Sequence, residues 1–563
     1  MIDTIIDNQR TAGGTTTRRP RSVGPVLLTA LIAGIVFLPI GALLLIAAGG
    51  GDGSWAHLSS TILPRSIRTT VTLLAYVAIF TVVVGVVTAW LIVTFEFPGR
   101  RFFAWGLVLP FAVPPYLAAY SVVEFFHYTG PMQSLLRDIM GYQTARDYWF
   151  PDVRSMAGAA LIMGGVLYPY VYLTTRVVFI MQGRHVADVA RTLGSGPFRV
   201  FWRILLPMAR PAIMAGVALV LMETMNDIGA VEFLGVRTLT FTIYDTWLNR
   251  GSLGGAAQIA CVMLLFIIAI LSLEQWARRR QRFFGGRASS LKAKPARTRL
   301  RGPRAFLAFG ACALPILFGF GIPLYVLGTY ALHRPYQILD PVLHRAFFTT
   351  IIVALSTALI TVTAALAIIH AVRIARRPGV TILSRIASAG YAPPGTVLGL
   401  GLLFVLARID NTVDAFMRAN FDISTGLLLT GSGFAVILAC SIRFLALAES
   451  SIAAGMAKLP PHLDDAARCL GRTSNQTALT VLLPLIRPAV LTAAVLVGVD
   501  SVKELSATIL LRPFGFDTLA TIVHQNASRA VVEDGAMASL LIMITAMVPV
   551  ILLSRALARD ETT

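Results

Sequence analysis

Asp188-Val189-Ala190-Arg191-Thr192-Leu193-Gly194, followed thirteen residues later by Pro207, occurs twice in this chain. The second copy is Asp465-Ala466-Ala467-Arg468-Cys469-Leu470-Gly471, followed thirteen residues later by Pro484. Outward from these stretches, His185 to Ala212 aligns without gaps to His462 to Ala489 at an offset of 277, and 12 of the 28 positions are identical. Both copies lie in polar segments between long apolar runs. A fixed-offset repeat of this kind has to be recognised before any other feature is read. One short polar helix repeated at one place in two halves implies two docking sites for one kind of partner.

The apolar runs define the class. Of 563 residues, 56% are hydrophobic and 13% charged, against about 25% charged in soluble domains. Uncharged runs of the roughly 20 residues that a helix needs to cross a bilayer recur along the chain. An all-α integral membrane protein follows. Its expected spans are Ser22–Gly51, Thr69–Phe95, Phe102–Val123, Ser155–Thr175, one from Pro211 and Gly251–Leu273. After a linker come Ala305–Leu332, Ala346–Ala371, Ile386–Ala407, Ile423–Ile442, one from Pro488 and Gly535–Ser554, which makes twelve.

The net charge of +20 raises nucleic acid as a partner, but its distribution argues against it. Basic residues concentrate in alternate loops, as the positive-inside rule requires. Arg278 to Arg304 holds eleven Lys or Arg and no acid; such a block fixes topology and attracts anionic lipid. The four cysteines form no disulfide framework and no CxxC spacing. The expected organisation is a cytoplasmic tail (1–23), a first six-helix repeat (24–276), a basic cytoplasmic linker (277–304), a second repeat (305–556) and a short tail (557–563). The tail precedes a span too long for a signal peptide's apolar region. Pro114-Pro115 and Pro393-Pro394 repeat at an offset of 279. Six spans per half is an even number, so the halves insert in parallel about an axis along the membrane normal.

The repeated segment has the marks of a short helix. Its acid complements the N-terminal dipole, its glycine stops the C-terminus, and Pro460-Pro461 is placed to start the second copy. Ala190 and Ala467 offer a small face for close packing, while Pro207 and Pro484 mark a break before the next span. A helix merely lying on the membrane surface would carry a broader apolar stripe.

This pattern resembles the EAA loop of binding-protein-dependent ABC importers, E-A-A-x-x-x-G, nine residues, then I-x-L-P. Asp188, Ala190, Gly194, Ile204, Leu206 and Pro207 match, with Asp for Glu and Val189 for the first Ala. The second copy matches at Asp465, Ala466, Ala467, Gly471, Val481, Leu483 and Pro484. The resemblance covers nearly the whole chain and implies a type I permease. It further implies two copies of a separate ATPase subunit on the cytoplasmic side, an external substrate-binding protein, and coupling contacts that include Arg191 and Arg468. No G-x-x-x-x-G-K-[ST] phosphate loop occurs in the sequence. The expectation is therefore a transport subunit and not an enzyme, with no cofactor of its own, whose partner uses ATP and Mg.

A narrower resemblance is to the fused permeases of ferric-iron importers. It is carried by Tyr168-Pro169-Tyr170-Val171-Tyr172, Asn226-Asp227-Ile228-Gly229-Ala230-Val231, Lys503-Glu504-Leu505-Ser506-Ala507-Thr508 and the run Leu511 to Thr521. Thiamine and 2-aminoethylphosphonate permeases share the fused layout and stay open as alternatives. A secondary transporter also has six plus six spans, but the G-x-x-x-D-R/K loop expected between its second and third spans is replaced here by Glu96-Phe97-Pro98-Gly99-Arg100-Arg101.

The fifth span of each half meets an acid twelve residues after its opening proline, Glu223 and Asp500, and a second acid four residues on, Asp227 and Glu504. That spacing sets each pair on one helix face, roughly 20 Å from the cytoplasmic edge. Ionisable groups at membrane depth face cavities. Two readings remain: a negatively charged lining of the outer pathway, suited to a cation, or ordinary polar residues near an outer helix end with Lys503 neutralising one of them. The eight histidines have no metal-ligand spacing. External loops such as Gln133–Arg154 and Arg408–Asp422 are the expected docking surface of the binding protein.

Overall fold

A computed structural model describes residues 23–49, 55–181, 196–279, 297–375, 378–388, 390, 393–457, 459–460 and 462–562. In the first half the helices are α1 (Val23–Ala48), α2 (Leu63–Thr94), α3 (Arg100–Gly106), α4 (Pro115–Phe126), α5 (Pro131–Met140), α6 (Met156–Met181), α7 (Leu206–Asn226), α8 (Gly229–Phe233), α9 (Leu239–Leu248) and α10 (Leu253–Arg279). In the second they are α11 (Pro303–Ile316), α12 (Ile322–His333), α13 (Pro341–Ala375), α14 (Pro378–Ser388), α15 (Gly395–Phe421), α16 (Phe434–Met456), α17 (Leu463–Cys469), α18 (Leu483–Val502), α19 (Thr508–Leu511), α20 (Leu519–Ser528) and α21 (Ala536–Thr562). A two-residue parallel pairing of Phe95–Glu96 with Thr298–Arg299 ties the end of the linker to the end of α2.

Nine helices among the described residues are long and apolar enough to cross a bilayer, and two bent pairs bring the number to eleven. Helix α21, where the twelfth span was expected, carries no charge over its first eighteen residues. The all-α membrane architecture expected from the sequence is borne out, the described residues showing nine to eleven of the twelve expected spans, with several boundaries moved. The third span is broken between Ala112 and Pro115 with a bend of 97°. Its counterpart does not start at Ile386: α14 ends at Ser388 and α15 begins only after Pro393-Pro394. Residues up to Phe421, expected as an external loop from Arg408, continue α15. The tenth span is Phe434–Met456 rather than 423–442, so Arg443 and Glu449 lie inside it.

Proline also acts differently from the expectation. Helix α7 runs straight through Pro211, and Pro207 sits inside a continuous helix that starts at Pro197. In the second half the helix bends by 77° around Ile486, between Pro484 and Pro488. Four π-helical turns occur among the described residues, at Leu58–Ile62, Phe201–Leu205, Leu317–Gly321 and Ala478–Leu482. Each is followed at the sixth position from its start by a proline, at 64, 207, 323 and 484. A proline ring clashes with the carbonyl four residues back and has no N–H to donate. Widening the preceding turn relieves that clash without ending the helix.

The repeat is visible in individual contacts. Thr70 Oγ1 accepts from Leu239 N and Thr350 Oγ1 accepts from Leu519 N, both at 2.9 Å and 280 residues apart in the chain. The fourth span locks onto the short helix of the third in both halves, by different chemistry. Arg176 and Tyr172 donate to Ala104 O at the end of α3, at 2.8 and 2.9 Å, whereas Ser384 and Ser388 of α14 donate to Glu449.

Each half gives its first helix to the other. Helix α1 packs on α13, α14 and α15, and α12 packs on α4 and α21. Glycine permits these crossings, as small residues do between membrane helices. A Cβ on Gly401 would stand 2.3 Å from Pro39 O of α1, and one on Gly319 would stand 2.2 Å from Gly165 O.

Candidate functional site

Two places collect the residues singled out by the sequence. The first lies where the fifth spans stop. Helix α7 ends at Asn226, and Asp227 leaves the helical region with φ −76° and ψ 113°. Its Oδ1 accepts from Ala230 N at 2.6 Å, which starts α8. The second half repeats the device. Helix α18 ends at Val502, and Glu504 accepts from Ala507 N at 2.9 Å, Thr508 N at 3.1 Å and Thr508 Oγ1 at 2.8 Å, starting α19. Carboxylates favour helix N-termini because the first N–H groups there lack partners. Asp227 and Glu504 thus lie just beyond their helix ends, not on the same continuous helix face as Glu223 and Asp500. Glu223 stands seventeen residues into α7, about 26 Å from its start, because α7 begins before Pro211.

All four carboxylates line one narrow cavity of about 60 Å³ between the halves. Phe111, Pro114, Pro115 and Tyr116 of the broken third span close one wall, and the fourth spans give Val166, Leu167, Arg443 and Phe444. Lys503 pairs with Asp500 at 2.8 Å and lies 4.6 Å from the Phe111 ring centre across the halves. Neutralisation of one acid by Lys503, which the second reading required, is present. Arg443 was not among the sequence candidates, and it is the most buried cation of the site. Its Nη1 is 3.0 Å from Glu504 Oε1 and its Nη2 3.6 Å from Glu223 Oε1. The signal for it was a single arginine inside the apolar run 434–448; treating that charge as a span boundary hid it. Charges held at membrane depth normally mark substrate or ion paths.

Asn226 stitches the halves beside this cavity. Its Oδ1 accepts from Gly395 N at 2.7 Å, and its carbonyl accepts from Ser506 Oγ at 2.5 Å. Further along, Tyr120 Oη lies 3.2 Å from His524 Nδ1, again across the halves. Among the described residues no three His, Cys, Asp or Glu side chains are placed to hold a metal ion. The four carboxylates line the space without forming a cage.

The second place is α17. Asp188, Ala190, Arg191 and Gly194 of the first copy lie outside the described residues, as does His185. In the second copy, Asp464 and Asp465 occupy the first turn. Gly471 takes φ +79°, and Arg472 N donates to Ala467 O at 3.1 Å, closing the helix end. Only glycine adopts that conformation without strain. Arg373 Nε, at the end of α13, holds Asp464 Oδ2 at 2.6 Å, and His370 Nε2 contacts Asn475 Oδ1 at 3.0 Å. Asp465, Ala466, Cys469 and Gly471 are exposed, and Leu470 is 82% exposed. Ala467, expected to face a partner, is instead buried against its own chain at 6% exposure. The backbone of Arg468 lies in α17. Pro207 is half-buried, and Pro484 is exposed where the helix leads into α18.

Two swapped halves, a charged cavity at their junction and an exposed short helix on the connection before the fifth span define a membrane transport permease. Residues 82–283 and 364–559 each match the family described as binding-protein-dependent transport system inner membrane component, and the chain belongs to that family. Membership implies an external substrate-binding protein and an ATPase partner. The chain is similar to an Fe(3+)-transport system permease protein of Haemophilus influenzae, 24% identical over 86% of this chain and 88% of that one. It is also similar to a molybdenum transport system permease protein of Escherichia coli, 27% identical over 37% of this chain and 90% of that one. A sulfate transport system permease protein of Escherichia coli is 32% identical over 38% of this chain and 73% of that one.

Proposed function

We propose that this chain is the fused permease of an ABC importer that passes ferric iron from an external binding protein to the cytoplasm. The convergence of Glu223, Asp227, Asp500 and Glu504 on one cavity between the halves carries the reading. Four acids against two bases favour a cationic cargo. The relative named for Fe(3+) transport is also matched along both halves, whereas the molybdenum and sulfate relatives are matched over little more than a third of this chain. In this reading both termini, the basic linker and both EAA segments face the cytoplasm. Two ATPase copies dock there, on Asp188 to Gly194 and on the exposed side of α17, and they use ATP and Mg.

A permeation path holds its cargo weakly enough to release it, so a lining of carboxylates suits transit better than a tight cage. Arg443 and Lys503 favour a second reading, an oxyanion cargo, because guanidinium and ammonium groups pair with such anions.

Uptake of radiolabelled ferric iron, sulfate and molybdate into vesicles containing the assembled transporter separates the two. Iron uptake that requires ATP and falls in Glu223→Gln and Asp500→Asn, with normal assembly, is the expected result. Uptake of sulfate or molybdate alone refutes the iron reading. Uptake driven by a proton gradient without the ATPase refutes the ABC mechanism.

A further inference from the structure

We infer that Arg443 is the latch of the pathway, a positioning residue anchored in one half that holds the other half closed across the cavity. This goes beyond the assignment of cargo and does not depend on it.

Arg443 projects from the middle of α16, and its side chain is 7% exposed. Its short contact, 3.0 Å, is to Glu504 of the same half. Glu504 is itself fixed by two backbone N–H groups and the Thr508 hydroxyl. The guanidinium is therefore held in place by its own half and cannot swing away without stranding a buried carboxylate. Its longer contact, 3.6 Å, crosses to Glu223 on α7 of the first half. Glu223 is 23% exposed toward the cavity, so it is the partner that can let go.

The internal repeat sharpens the point. At the offset of 277 the counterpart of Arg443 is Val166, which lines the same cavity, so one arginine serves both halves. Cargo can pass only when the halves part, because neutral contacts through Asn226 and the Lys503–Phe111 contact close the same junction. Transporters built from paired repeats work by moving one repeat against the other around a fixed site. Breaking Arg443–Glu223 in that movement separates opposite charges. Any charged group entering the cavity competes with it directly.

The test uses the assembled transporter in membrane vesicles without nucleotide, with the four native cysteines replaced and Val166→Cys introduced as a reporter. The rate of labelling by a membrane-impermeant thiol reagent added from outside reads the open population. Glu223→Gln keeps the shape of the side chain, and it is expected to raise that rate by about fivefold or more. Arg443→Gln, which also removes the pair with Glu504, is expected to raise it at least as much, and the double variant no more than Arg443→Gln alone, because the interaction with Glu223 is then already lost. Arg250→Gln, which breaks an exposed pair with Asp245 inside the first half, is the control for general loosening. An unchanged rate in Glu223→Gln overturns the latch. So does a double variant whose effect is the product of the two single effects. Should Arg443→Gln assemble poorly, the Glu223→Gln result decides alone.

Discussion

Replacing Asp464 by Asn separates two jobs that the second EAA segment combines. Arg373 Nε meets Asp464 Oδ2 at 2.6 Å, with side-chain exposures of 17% and 18%. Charge-assisted hydrogen bonds contribute about 1.5–3 kcal/mol when well shielded, and exposed ion pairs about 0.2–1 kcal/mol. A pair this far buried but still wetted falls between, at about 1–1.5 kcal/mol. Asn keeps one neutral hydrogen bond, so most of that difference appears as looser tethering of α17 to α13. It corresponds to roughly a five- to thirteenfold rise in the undocked population of the helix. Asp465, one residue on, is exposed and is a proposed contact of the ATPase. Asp464→Asn should therefore accelerate amide hydrogen exchange across 463–470 by that factor in the isolated permease. Asp465→Asn should leave exchange unchanged and weaken binding of the ATPase.

Exchange by mass spectrometry on the permease in nanodiscs, with a pull-down of the ATPase on the same samples, measures both. Equal exchange in Asp464→Asn and the native chain refutes the tether. The sequence provides an internal contrast, since the position equivalent to Asp464 in the first copy is Ala187, which cannot form such a pair. The two proposed ATPase contacts are thus predicted to differ in stiffness.

Gly401→Ala places a Cβ 2.3 Å from the Pro39 carbonyl and can be relieved only by moving α1 off the second half. Overpacking of this kind costs about 1–3 kcal/mol. A lowered melting temperature is expected, while Gly34→Ala, which meets open space, should not lower it; equal melting of the two variants refutes the close crossing. In the loop between α5 and α6, Asp147 accepts from Thr144 N, Gln143 N and Thr144 Oγ1. These bonds, Thr144 N first, hold its carboxyl below the ordinary carboxylate range. A lowered folded-state pKa contributes stability above the unfolded value, and that contribution is lost as pH falls through the folded one. Protection of the Gln143 and Thr144 amides should therefore persist through pH 4 and fail only in stronger acid. Loss already between pH 6 and 5 contradicts it.

How much of this was readable in the sequence depends on the range of the signal. Apolar length gave the spans, and the fixed offset gave the repeat, because both are local or self-referential. The carboxylates of the fifth spans were legible as ionisable groups at depth. Their capping of α8 and α19 was not, since it depends on where the helices end. Arg443 was lost for a related reason: a charge inside a span looks like the end of one until its partner is known, and Glu504 is 61 residues away. The exchange of α1 and α11–α12 between halves had no local signature. It rests on glycines such as Gly401 and Gly319, whose role appears only when the opposing backbone is in place. Pro207 was read as a break, yet it lies within a helix widened ahead of it, whereas in the second half a bend does follow just after Pro484.

Fusion of the halves gives the cavity a charge that a symmetric pair of identical halves could not reach. The first half contributes Glu223 and Asp227 and no base, since Val166 and Asn226 stand where the second half has Arg443 and Lys503. Two copies of the first half would carry four acids alone, a formal charge of −4. Two copies of the second would carry Asp500, Glu504, Arg443 and Lys503 twice, a formal charge of zero. The fused chain holds −2. A lining of −4 would hold a multivalent cation tightly or repel itself apart, and a neutral lining would offer a cation little. Because field strength in a narrow, low-dielectric cavity grows with each uncompensated charge, this intermediate value suits the proposed cationic cargo, leaving its release compatible with its entry. On the proposed iron cargo, converting Val166 to Arg should therefore slow uptake by reducing the formal charge of the lining to −1, and converting Lys503 to Met should slow release by raising it to −3.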